Sequence, residues 1–238
     1  SFVAVWESTF QVGFNTAIVG RKFNPDGTPA TGEFVVNTTT SFSREQPAVV
    51  ALDDGGFAVS WSGFNTGNNT TDVFARFYVS SLDGGTGLPV PRTGEFVVHS
   101  AVASQQQSDA RLAENMVTLD DGRVVIVWSD SSGGSADVSA RIFNSNGTPS
   151  SVGGSANEFR VNTTLTGSQD VASVGKLADG GFVVVWEQTR SDGLFIPKGT
   201  DIYAQRYHAD GTRNGGEVKV NTFDAYEQLN PKVAGTPD

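Results

Sequence analysis

Four times along this chain an apolar strand closes on a tryptophan: Phe2-Val3-Ala4-Val5-Trp6, Phe57-Ala58-Val59-Ser60-Trp61, Val124-Val125-Ile126-Val127-Trp128 and Phe182-Val183-Val184-Val185-Trp186. These are all the tryptophans it has. They stand 55, 67 and 58 residues apart, and running on from Trp186 through Asp238 to Trp6 adds another 58. A period of this size marks a repeat architecture, whose units bury their apolar faces by stacking on one another. Three of the strands follow an Asp-Gly turn, at Asp54-Gly55, Asp121-Gly122 and Asp179-Gly180. The first has no lead-in before it; the matching segment is Pro231-Lys232-Val233-Ala234-Gly235-Thr236-Pro237-Asp238 at the other end. Joining the ends restores a repeat, about one glycine short, so the chain reads as a ring of four units. Starting in mid-repeat at Ser1, it also reads as a segment of something longer.

Composition agrees with many short strands and tight turns. Of 238 residues 28 are glycine, and the 37% that are hydrophobic are weighted toward valine and phenylalanine. Sixteen basic against 26 acidic residues give a net charge of −10, which disfavours a nucleic-acid or anionic-membrane surface. With no cysteine, there is neither a disulfide framework nor a thiolate metal site. No apolar stretch approaches the roughly 20 residues that would span a bilayer.

Each unit resolves into four strand-like runs. Run A is Pro47 to Leu52, echoed by Asn115 to Leu119, Ser173 to Leu177 and Pro231 to Thr236; run B is the tryptophan strand. Both faces of run B are apolar, with Phe182, Val184 and Trp186 on one and Val183 and Val185 on the other, so it must be covered on both sides. Run C is Asp72 to Tyr78, Asp137 to Phe143 and Asp201 to Tyr207, with a looser copy at Ala17 to Phe23. Run D begins at Glu33, Glu95, Glu158 and Glu217, and Asn-Pro-Asp-Gly-like turns join C to D at Asn24, Asn144 and His208. No segment sustains a helical period. These runs predict an all-β, four-bladed β-propeller of four-stranded antiparallel blades, closed by pairing of the N- and C-terminal segments. Residues 1–238 form one repeat domain: runs B, C and D over 1–38 are completed by run A from 231–238, and further blades cover about 47–100, 110–163 and 173–222. All four tryptophan strands are then expected in the core between blades.

The best copy, Leu177 to Asn221, with its Asp-Gly-Gly-Phe-Val-Val-Val-Trp, Asp-Ile-Tyr-Ala-Gln-Arg-Tyr and Val-Asn-Thr elements, resembles tandem repeats of large secreted bacterial surface proteins of the RTX, type I secretion kind. The resemblance covers nearly the whole chain. It implies an adhesin or scaffold module without a defined reaction, located extracellularly or at the bacterial cell surface. The glycine-aspartate nonapeptide array that forms the calcium roll of RTX proteins is missing from this sequence.

Candidate chemistry is sparse. Asn24-Pro25-Asp26-Gly27 and Asn144-Ser145-Asn146-Gly147 offer oxygen ligands of the kind calcium takes, but neither continues to a bidentate glutamate, and turn formation explains them first. Asp72, Asp137 and Asp201 recur at the head of run C, as turn caps or ion ligands. No cofactor is assigned, and calcium is left open. The two histidines, His99 and His208, are repeat variants outside any cluster, which argues against zinc or a catalytic triad. Glu33, Glu95, Glu158 and Glu217 occur in every unit, as architecture does and catalytic pairs do not. Arg21, Arg76 and Arg141, with Gln205 in the fourth unit, share one register of run C, where salt bridges to neighbouring strands are expected.

The B-to-C connections vary more, and on a meander they share a face with the D-to-A links. That face gathers Phe10, Phe14, Phe64, Phe195 and Ile196 in loops that would ordinarily be polar, the mark of a contact surface. The sequence therefore predicts a non-catalytic binding, adhesion or assembly module that meets a protein or glycan at a cell surface through this loop face. It engages no nucleic acid, does not insert into membranes, and leaves self-association open. A carbohydrate-binding lectin is the alternative. A glycoside hydrolase ranks third, with Glu187 and Asp192 the acids to inspect.

Overall fold

Phe57, Val59 and Trp61 point to one side of their strand and Ala58 to the other, and this alternation sets how the whole molecule stacks. The computed structural model of the protein describes residues 1–67, 70–100, 106–107, 115–131, 135–150, 158–190, 199–223 and 225–237. They form four antiparallel sheets. Sheet one holds β1 (Phe2–Val12), β2 (Asn15–Phe23) and β3 (Phe34–Val35). Sheet two holds β4 (Arg44–Ala51), β5 (Phe57–Asn65), β6 (Thr70–Leu82), β7 (Pro89–Pro91) and β8 (Phe96–Val97). Sheet three holds β9 (Gln106–Gln107), β10 (Met116–Thr118), β11 (Val124–Asp130), β12 (Asp137–Phe143) and β13 (Phe159–Arg160). Sheet four holds β14 (Gln169–Lys176), β15 (Phe182–Thr189), β16 (Thr200–Tyr207) and β17 (Val218–Lys219). Runs A to D thus become neighbours in sheets two, three and four, and runs B to D in sheet one, though run D makes only two-residue ladders.

Turn chemistry explains the hairpins. Gly55, Gly122 and Gly180 take positive φ between runs A and B. Between C and D, Asp26, Asn146 and Asp210 each accept hydrogen bonds from the backbone N–H and hydroxyl of the threonine two residues on. These side chains serve the turn, and the Asp26 and Asp210 carboxyls sit below their usual range through those threonine bonds.

The sheets pack face to face in chain order. One apolar cluster joins sheets one and two through Ile18, Val36, Phe57 and Trp61. A second joins two and three through Ala58, Phe77, Ile126 and Trp128, and a third joins three and four through Val125, Ile142, Val184 and Trp186. In each, the tryptophan points back to the preceding sheet. A carboxylate crosses each interface the same way. Glu95 accepts from the Thr38 N–H and hydroxyl, Glu158 from those of Ser100, and Glu217 from those of Thr163. Glu95, Glu158 and Glu217 are thus clamps on the strand end of the preceding unit, and such charge-assisted bonds are the stronger kind.

Three expectations are corrected. First, the ends do not pair: among the described residues β1 pairs with β2 alone, and 231–237 lies in no ladder. That segment instead rests on sheet four, with Val233 packed on Val183, Val185 and Ala204. Second, only Trp61, Trp128 and Trp186 are fully buried. Trp6 is partly exposed, because Val3 and Val5 take the side of β1 that meets sheet two and Trp6 takes the other. Third, the arginine register meets backbone carbonyls across the interfaces, with the Glu158 charge acting on Arg141. Arg76 Nη1 donates to Val36 O at 2.9 Å and Arg141 Nη1 to Val98 O at 2.7 Å, each across an interface and each stacked on the aromatic ring two residues on.

Candidate functional site

The β5 strand runs beyond its tryptophan to Asn65, so Phe64 extends from a strand end and not from a loop. Opposite it, the link from run D to run A brings Phe42 to a ring-centroid distance of 4.9 Å, tilted by 49°. The two rings form one wall of an open cleft of about 450 Å³ between sheets one and two. Its remaining lining is polar: Asn15, Ser43, Glu45, Ser62 and Thr71, with Gly63. B-to-C connections and D-to-A links do share this face, as the sequence predicts.

Arg44 builds the floor. It is 1% exposed, donates from Nη1 to Phe64 O at 2.8 Å, stands over the Phe74 ring at 4.9 Å and faces Glu95 at 4.0 Å. Burial pushes its guanidinium below its ordinary value, against the raising influence of the Glu95 charge. Arg44 can lie there because residue 63 is glycine; a Cβ would come 2.3 Å from Nη1. The link is pinned from sheet one, where Asn15 Nδ2 donates to Thr40 O at 3.0 Å and the Thr16 N–H to Ser43 Oγ at 3.4 Å. Glu45 remains exposed at the rim. The cleft thus sets an aromatic wall against an amide, a carboxylate and three hydroxyls.

Of the residues expected at the site, Phe64 lines the cleft. Phe10 and Phe14 are 70% and 91% exposed on the β1–β2 hairpin, beside the lining residue Asn15 but not in the lining. That hairpin shifts register between Thr9 and Val12 and closes on a two-residue turn with Gly13 at φ +76°, so Phe10 belongs to β1, at a bulge, rather than to a loop. Phe195, Ile196 and Asp192 lie outside the described residues. Phe42 escaped the sequence reading; its signal was an aromatic in a D-to-A link. Glu187 is buried and accepts the Asn230 N–H at 2.6 Å, a structural engagement. Asp201 and Asp137 receive Asn221 and Asn162 amides, and Asp72 meets His99 at 3.1 Å. Among the described residues no three His, Cys, Asp or Glu side chains converge as a metal would need.

No family model matches the chain, and no curated protein does either. Solved structures match in fold. A protein of unknown function from Dyadobacter fermentans shares 12% identity at a TM-score of 0.52, over 89% of this chain and 60% of that one. The α-L-arabinofuranosidase Arb93A of Fusarium graminearum, with an iminosugar inhibitor, shares 12% at 0.54, over 92% and 62%. The same fungal GH93 enzyme with arabinobiose gives 12% and 0.54, over 86% and 58%. The chain therefore spans about three fifths of the length of these structures, and the likeness is one of fold.

Proposed function

We propose that the chain is a non-catalytic binding module, four blades of a propeller-like stack, whose ligand is a glycan held in the cleft between sheets one and two. The observation that carries this reading is the apposition of Phe42 and Phe64 to Asn15, Glu45 and the Ser43, Ser62 and Thr71 hydroxyls. A sugar presents apolar C–H faces rimmed by hydroxyls; an aromatic wall takes the first, and amide, carboxylate and hydroxyl groups take the second. Hydrolysis calls for two carboxyl groups flanking the scissile bond. Among the described lining residues Glu45 is the single carboxylate, which favours retention of a sugar over its cleavage. The fungal structural neighbour carries arabinobiose, so pentose oligosaccharides belong among the probes. The repeat resemblance to large secreted bacterial surface proteins supports an extracellular, adhesive setting.

A glycan array followed by calorimetry with the best probe tests the reading. Binding that Phe64→Ala abolishes, without new reducing ends in the incubated oligosaccharide, is expected. Release of reducing ends would replace it with a hydrolase, and silence across glycans would leave the exposed aromatics of the β1–β2 hairpin as a protein contact.

A further inference from the structure

The cleft between sheets one and two departs from the repeat at three places, and together they leave one carboxylate without a structural task. Between sheets three and four the corresponding place is filled. There Gly167 holds the position of Phe42 and Thr189 that of Phe64, and the Thr189 N–H donates to Ser168 O at 2.8 Å. The link lies so close to the strand end that a Cβ on Gly167 would come 2.2 Å from Thr189 O. Two phenylalanines in these positions hold link and strand end apart; their rings meet at 4.9 Å and wall the open cleft of about 450 Å³.

Glu45 and Asp170 share one register, each just before the left-handed residue that precedes run A, Gln46 at φ 59° and Val171 at 51°. Asp170 is spent on structure: it accepts the Ser129 hydroxyl from sheet three and, at 2.9 Å, the Val171 N–H. The third departure moves that work elsewhere, because Glu7 of sheet one stands where sheet three has Ser129, and its longer side chain accepts the Gln46 N–H at 2.7 Å. Glu45 is thereby released. It is exposed and lines the cleft, and among the described residues no hydrogen bond or ion pair engages its carboxylate. No lysine or arginine stands in the lining, and the cation beneath it, Arg44, already faces Glu95. The cleft thus holds an unanswered negative charge beside two aromatic rings.

We propose that the glycan taken by this cleft is an amino sugar with a free ammonium group, and that Glu45 selects it. The inference rests on the glycan reading above and narrows it. An ammonium supplies what a neutral hydroxyl does not: a positive charge for the Glu45 carboxylate, and a cation for the ring faces of Phe42 and Phe64. N-acetylation of the same sugar removes both. A uronic acid or a sulfated sugar brings a second negative charge to Glu45 and is repelled.

The test is calorimetry of the whole chain with two matched probes, the β-1,4-linked tetrasaccharide of glucosamine and its fully N-acetylated form, at mildly acidic pH so that the amines carry their protons. The glucosamine probe is expected to bind about tenfold tighter, about fivefold from an exposed ion pair and about twofold from a cation–π contact, and to lose that advantage as salt is raised. Glu45→Gln is expected to cut the preference to about twofold with an unchanged melting curve. Equal affinities in the unaltered chain would overturn this inference and leave the glycan reading standing. Silence of both probes would overturn it as well, and only a silent glycan array besides would take the glycan reading with it. A preference undiminished by Glu45→Gln would also overturn it, since removing one charge from a chain of net charge −10 leaves generic attraction of cations almost intact.

Discussion

Four tryptophans that are equivalent in sequence are not equivalent in the stack, and truncating each to alanine separates the two descriptions. Trp61, Trp128 and Trp186 are 0% exposed, each wedged into a different interface. A tryptophan buries about 150–250 Å², worth about 4–6 kcal/mol at about 25 cal/mol per Å² of apolar area; core truncations of this kind cost about 3–5 kcal/mol, since neighbours relax only partly. Trp6 is partly exposed and retains only its contacts within sheet one, so Trp6→Ala should cost about 1–2 kcal/mol. Urea unfolding followed by far-ultraviolet circular dichroism, at a concentration where the chain is monomeric, would show three large midpoint shifts and one small one at an unchanged slope. Should Trp6→Ala destabilise the monomer as much as the other three, the outer face of sheet one would have to be covered within a single chain, and the stacking order derived above would be wrong.

Other perturbations probe other joints. Glu95→Ala removes the clamp on Thr38 and the partner of buried Arg44, and should lower stability by about 2–4 kcal/mol, whereas Glu33→Ala should leave dilute monomer within about 0.5 kcal/mol; chemical denaturation reads both. Gly63→Ala should displace Arg44 and with it Phe64, seen as loss of glycan binding together with a lowered melting temperature, while Phe64→Ala should lose binding alone. Burial raises the Tyr78 and Tyr207 phenols to about 12, each donating to the preceding sheet. The folded state holds these protons longer than the unfolded chain, so stability is intact below pH 10 and falls toward pH 12, by about 2–3 kcal/mol per phenol. Ionisation of these two phenols should accordingly accompany unfolding, and Tyr207→Phe should flatten that alkaline limb.

Run B was legible because a strand apolar on both faces can only lie between two sheets, and Asp-Gly or Asn-Gly turns mark its hairpins independently of packing. The clamp glutamates were legible as architecture, since a residue needed at every interface recurs in every unit. Which face of the first unit would remain uncovered was not, because Phe2 and Trp6 carry the same letters as Phe182 and Trp186, and exposure depends on what stands next to them. The cleft was half legible. Phe64 announced itself as an aromatic near a strand end, but Phe42 meets it only after sheets one and two have stacked, and nothing local to either residue encodes that meeting.

The bulge ahead of run A shows where local coding ends. Gln46, Val171 and Asn230 share a left-handed backbone that valine in particular resists, and no glycine marks any of the three positions. At two of them a carboxylate from the preceding sheet, Glu7 or Glu187, holds the backbone N–H; at the third the Asp170 side chain holds the Val171 N–H at 2.9 Å. The conformation is thus imposed by neighbours, and its cost of about 1–3 kcal/mol is offset by the hydrogen bond and by the packing it permits. Asn230 takes this shape although no strand pairs with 231–236 among the described residues. Contact with sheet four therefore suffices to hold the backbone shape that precedes run A at Asn230.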